Sequence, residues 1–250
     1  MNKQIIENIN TIYTIFKLVI NEIIKVGIIK IIISLITFLI TILIIYKTNK
    51  SDILNTSYSL IPFVGIFMII FYGGSISSEI ESGSLKYYLT KPIKRWKIYL
   101  SKLISIYLYL VIVFAYIIFI YLIIIDKIDT SFIIKFIKYT IPIFLMGTIS
   151  LFLSSFIKNT AFCIGIDIFI LVFSTMFSQV LFGLSINIVE YTFLPYLDFS
   201  IFNDLKALDI MNDELEIHLS LSRGIKIDLI FIFIFYYLGN LIFTNKDVKN

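Results

Sequence analysis

Apolar stretches about as long as a bilayer is thick alternate with short charged interruptions along most of this chain. Six such runs lie near 27–46, 58–77, 103–125, 139–157, 161–182 and 227–244. Each approaches the roughly 20 residues that a helix needs to cross about 30 Å of hydrocarbon. Only Lys158, Asn159 and Thr160 separate the fourth run from the fifth. Strand-like alternation of polar and apolar positions is absent, and helices satisfy their own backbone groups in lipid. The pattern predicts an all-α integral membrane protein with six transmembrane helices.

Residues 4–24 follow a different rule. Ile5, Ile9, Ile12, Phe16, Val19, Ile20 and Ile23 share one narrow helical stripe. Glu7, Asn8, Asn10, Thr11, Thr14, Lys17, Asn21 and Glu22 fill the rest of the circumference. That arrangement predicts an amphipathic helix lying in the membrane interface rather than a span. Charges interrupt its apolar stretch and no small-residue cleavage site follows, which excludes a signal peptide. The expected organisation is an N-terminal interfacial helix over 1–26 and a six-helix membrane domain over 27–250. Within that domain the soluble-looking pieces are a segment at 78–102 and a loop at 183–226.

Composition supports the membrane assignment. The 250 residues are 59% hydrophobic and 15% charged, with a mean hydropathy of +0.96. A soluble domain carries about 25% charged residues. The formal charge of +4 is too small to indicate nucleic-acid binding. Its placement is more informative, because cytoplasmic loops are enriched in Lys and Arg. With the N-terminus inside, thirteen of these residues fall on the cytoplasmic side and eight on the other. Both termini, and the 78–102 segment, are therefore expected to face the cytosol of a multi-pass cell-membrane protein. The single Cys163 allows no intrachain disulfide.

Candidate chemistry is sparse. No G-x-x-x-x-G-K-[ST] phosphate loop occurs, so nucleotide hydrolysis is not expected in this chain. The one histidine, His218, offers no metal pair and no Ser-His-Asp set. No enzyme, resident metal or cofactor is expected. Asp167 is the one acidic residue well inside a predicted span, and with Ser174 and Ser178 it forms a stripe at i, i+7, i+11. A carboxylate in hydrocarbon must be paired, protonated or wetted. The stripe reads equally as a polar transport path, a subunit interface or a packing hydrogen bond. Gly147, Ser150 and Ser154 give the fourth run a small-residue face of the kind that permits close helix packing. The 183–226 segment opens with aromatics, among them Tyr191, Phe193, Tyr196 and Phe199, and then turns acidic. It reads as interfacial helices followed by solvated surface.

The charged segment at 78–102 carries the strongest functional signal. Leu85, Tyr88 and Leu89 lie at i, i+3, i+4 of a short helix that Pro92 must end. Lys94, Arg95, Lys97 and Lys102 cluster where the third span begins, as headgroup attraction favours. A short polar helix held against the membrane suits docking into a groove of a soluble partner. A plain charged loop is the competing reading. The order E-x-G-x-L…L-x-x-P-x-x-R…K runs from Glu81 to Lys102, with Glu79 just before it. It resembles the cytoplasmic signature of ABC-2 type transporter permeases.

That resemblance covers about a tenth of the chain as motif, and the six spans, amphipathic N-terminal helix and external loop before the last span match the family's layout. It implies a non-catalytic half-transporter that pairs with a second permease, identical or different. A separate ATP-binding cassette subunit would bind ATP and Mg and dock on a cytoplasmic coupling helix between spans 2 and 3. The resemblance places coupling at Glu79, Glu81, Gly83, Leu85, Tyr88, Leu89, Pro92, Arg95 and Lys102, and family members without a large external domain often export drugs, antimicrobial peptides or lipid-like compounds. The rival classes are a stand-alone membrane protein, such as a bacteriocin immunity protein, and a secondary transporter. The latter would call for paired ionisable groups or broken helices in matching halves.

Overall fold

The computed structural model describes residues 3–26, 28–48, 61–90, 93–124, 130–183, 192–193 and 221–245. All regular elements among them are helical: α1 (Lys3–Val26), α2 (Ile28–Thr48), α3 (Ile61–Tyr72), α4 (Ser75–Glu81), α5 (Ser84–Leu89), α6 (Arg95–Ile124), α7 (Thr130–Phe156), α8 (Thr160–Gly183) and α9 (Leu221–Asn245).

Three described segments are long and apolar enough to cross a membrane: Phe63–Glu81, Arg95–Ile123 and Ser222–Asn245. Residues 9–24 of α1 and 28–44 of α2 pass the same test only as a pair, bent by 66°. Thr140–Phe156 and Thr160–Ser174 are apolar but shorter. The described residues are therefore all-helical, with three to four candidate spans among them. The predicted runs at 27–46, 139–157 and 161–182 fall on α2, α7 and α8, which are 21, 27 and 24 residues long.

Helix α7 is the axis of the packing, in contact with α3, α4, α6, α8 and α9. Nearly every residue from Ile143 to Ser155 is buried. Its small-residue face does what the spacing predicts. A β-carbon at Gly147 would stand 2.8 Å from the Ile106 methyl of α6, so the two helices approach as only glycine permits. The most extensive contact of α7 is with α9. Helix α9 nonetheless leaves much of its surface exposed, including Leu229, Phe233 and Tyr237. Phe193 packs its ring on Phe231 and Phe235 of α9, at 5.0 and 5.7 Å between centroids. Most of the 183–226 loop, His218 included, lies outside the described residues.

Helix α6 starts at Arg95, eight residues before the apolar run that announced it, because nothing between Arg95 and Ile124 is Gly or Pro. Helix α1 lies along α6. Ile9, Ile12, Phe16 and Ile20 are exposed as the amphipathic pattern requires, while Leu18, Val19 and Glu22 turn inward. Between α3 and α4 the chain breaks at Gly73–Gly74. Gly74 takes φ +73°, a left-handed conformation that costs glycine little and other residues more.

Candidate functional site

Helix α4 follows α3 across the Gly73–Gly74 turn, and its seven residues make connections to three long helices. Positions 77 and 81 are one turn apart and share a face, while 79 points away from them. On the first face the Ser77 hydroxyl donates to the carbonyl of Ile157 at 2.6 Å, just past the end of α7. The backbone N–H and the hydroxyl of Thr160 donate to the two Glu81 oxygens at 3.1 and 2.6 Å. Thr160 is the first residue of α8, so Glu81 caps that helix from outside and meets the positive end of its dipole.

On the opposite face Glu79 reaches α6. The Lys102 ammonium donates to Glu79 Oε1 and to Glu22 Oε2, each at 3.0 Å, and its side chain is 2% exposed. Glu22 belongs to α1, 80 positions away in sequence. An ammonium removed from water costs several kcal/mol unless its hydrogen bonds are replaced, and two carboxylates at contact distance replace two of them. One buried cation thus ties the N-terminal helix, α4 and α6 together. The first turn of α6 adds two more links. Lys97 donates to the Thr11 hydroxyl of α1 at 3.0 Å, and Arg95 to the Thr244 carbonyl in the last turn of α9 at 3.0 Å. That carbonyl is one of the groups a helix end leaves without an internal partner.

The nine residues expected to couple to a partner thus have different places. Glu79, Lys102 and Arg95 hold helices together, and Glu81 does so while remaining exposed. Gly83 makes the turn between α4 and α5 at φ +71°, with nothing near its missing side chain. Leu85 is 1% exposed and belongs to the core. The side chains of Tyr88 and Leu89, together with Pro92, lie outside the described residues. The exposed positions in this stretch include Ser78, Glu81, Ser82, Gly83, Lys86 and Thr90.

Asp167 and Ser174 are both buried on α8, whereas the side chain of Ser178 lies outside the described residues. Asp167 Oδ2 accepts a hydrogen bond from the Ser150 hydroxyl of α7, and Oδ1 has no hydrogen-bond partner among the described residues. Ser174 donates to the carbonyl of Leu171 in its own helix. The two therefore share a buried face without forming a common network.

Three buried polar positions escaped the sequence. Glu22 looked like one of many polar residues on an amphipathic helix, and Ser77 like the end of an apolar run. Asp228 sat at the second residue of the predicted last span, where a charge is unremarkable. Helix α9 begins seven residues earlier, and Asp228 is 1% exposed with neither carboxylate oxygen hydrogen-bonded among the described residues. No group of three metal-ligating side chains forms among the described residues. The links around α4 fix helix ends to one another.

The chain belongs to the family described as Protein of unknown function (DUF2705), whose model matches residues 46–249. The matched part contains α4, Lys102, Asp167 and Asp228 and starts after α1. A comparison with curated proteins gives no match.

Proposed function

We propose that this chain is the permease subunit of an ATP-driven exporter, worked by a separate ATP-binding cassette subunit that supplies ATP and Mg binding. The observation that carries this reading is α4, a seven-residue helix linked by Ser77, Glu79 and Glu81 to the ends of α7, α6 and α8. A push delivered to the exposed side of α4–α5 by a soluble partner is transmitted to three long helices at once. The E-x-G-x-L motif runs from the last residue of this helix through the Gly83 turn into α5, where an ABC-2 type permease would carry its coupling helix.

On this reading six spans cross the cell membrane, both termini are cytoplasmic, and a second permease chain completes the path. The cargo class is a drug, an antimicrobial peptide or a lipid-like compound. Asp167 and Ser174 line the interior face along which helices slide.

The test is affinity isolation of the tagged chain from its native membranes, with mass spectrometry of whatever accompanies it. A phosphate-loop ATPase should co-purify. It should be lost when the exposed Lys86 and Thr90 are both changed to Glu, a replacement that leaves the buried links untouched. A chain that purifies alone at normal expression would sink the proposal in favour of a stand-alone membrane protein.

A further inference from the structure

A polar pocket of about 370 Å³ opens beside the Lys102 cluster, between the α1–α2 corner and α4. Its walls carry charges of both signs. Glu22 and Glu79 stand on the inner side, each showing about a tenth of its side chain or less, and Lys30 stands exposed on α2. Ser75, Ser78 and Ser82 supply hydroxyls between them. The Ser75 hydroxyl is buried and has no hydrogen-bond partner among the described residues.

The surroundings are as apolar as the pocket is polar. Ile12, Phe16 and Ile24 of α1 are exposed on one side of the corner, and Ile29, Ile32 and Ile36 of α2 on the other. The two helices bend by 66° at this corner, where the amphipathic α1 gives way to the more evenly apolar α2. A molecule suited to both parts has apolar chains for the isoleucine surface of α2. Its head must offer a cation to the carboxylates and an anion to Lys30 and the serines.

We infer that this pocket binds the headgroup of a phospholipid bearing a phosphate and a primary amine, that is, a phosphoethanolamine head. The ammonium lies toward Glu22 and Glu79, where it can donate hydrogen bonds. The phosphate lies toward Lys30 and the hydroxyls of Ser75 and Ser78. A trimethylated amine has no hydrogen to donate, and a glycerol head has no cation. The pocket therefore discriminates among lipids that differ only in their heads. A lipid seated here would also bear on the link between α1 and α4.

The full chain, delipidated in detergent, is titrated with phosphatidylethanolamine, phosphatidylcholine or phosphatidylglycerol of matched acyl chains, and bound lipid is counted by native mass spectrometry. Phosphatidylethanolamine should bind at least about tenfold more tightly than the other two, a difference of about 1.4 kcal/mol. The double variant Lys30→Gln, Ser78→Ala removes contacts to the phosphate, which all three lipids share, and should weaken phosphatidylethanolamine and phosphatidylcholine binding alike, each at least about threefold. Both residues are solvent-facing, and a thermal unfolding curve matching the wild type verifies that the variant is folded. Equal affinity for the three lipids, a preference for phosphatidylglycerol, or a variant that binds phosphatidylethanolamine as tightly as the wild type would each overturn the inference. No ATPase is present in this assay, so its outcome is independent of the proposed transport function.

Discussion

Replacing Lys102 with Met tests whether one buried ammonium holds the N-terminal helix and α4 to α6. Each ion pair spans 3.0 Å with Lys102 2% exposed. At an effective dielectric of about 20, a contact of that length has a gross attraction of about 5 kcal/mol. Desolvation of the three charges offsets much of it, so the attraction is not the net stability. Removing the cation also leaves two carboxylates whose oxygens lie within about 6 Å of each other, twice the 3.0 Å bond length. At the same dielectric their repulsion is about 3 kcal/mol. Breaking a buried pair from one side typically costs about 3–5 kcal/mol, and Lys102→Met is expected in that range. Thermal or denaturant unfolding of the purified chain in detergent measures the loss. The triple variant Glu22→Gln, Glu79→Gln, Lys102→Met removes all three charges and should recover most of it. A Lys102→Met protein as stable as wild type, or a triple variant no better than the single, would refute the reasoning.

Three smaller perturbations probe the other links, each read by unfolding in detergent. Glu81→Ala removes the outside cap of α8 and should cost about 1 kcal/mol, with Glu81→Gln retaining most of the stability because it can still accept from Thr160. Arg95→Ala loses the bond to the Thr244 carbonyl and should cost about 1 kcal/mol, whereas Arg95→Lys recovers part of it; equal losses for both would argue against that bond. Gly239→Ala places a methyl group against the Tyr99 ring and the Phe152 backbone, an overpacking worth about 1–3 kcal/mol. Tyr99→Phe in that background should relieve part of the strain, and strictly additive losses would show that the two residues do not meet.

The sequence disclosed helices readily and their partnerships hardly at all. Period and hydropathy placed the amphipathic α1 and its exposed Ile9, Ile12 and Phe16, because those features repeat locally. They also placed Glu79, Glu81 and Lys102 within one short charged segment. Nothing local distinguishes Glu22 from Glu7 on the polar side of the same helix. What selects Glu22 is a cation 80 positions downstream, and pairing at that distance leaves no periodic trace. Lys102 was read as a headgroup-facing charge because lysines at span entrances usually are. The structure buries it because two acids converge there. Leu85 stands in a charged segment and yet is buried in the chain's own core, a placement that its local surroundings in the sequence do not announce. Asp228 was overlooked for a boundary reason: moving the start of α9 back to Leu221 takes it from the rim of a span to its second turn.

The position of α7 has a consequence for biosynthesis. Its most extensive partner is α9, and α9 is the last described helix to leave the ribosome. Until then α7 has already been made, with its buried Thr148, Ser150, Ser154 and Ser155 and an internal proline, Pro142. The face that α9 covers must wait uncovered, or be shielded by insertion factors, while the intervening residues are translated. Shielding by the nascent chain itself falls to α3, α4, α6 and α8, which also contact α7. Chains stopped before Leu221 are therefore expected to be sensitive to quality-control proteases even with every link around Lys102 in place, and completion of the last helix is the step that commits the molecule to its fold.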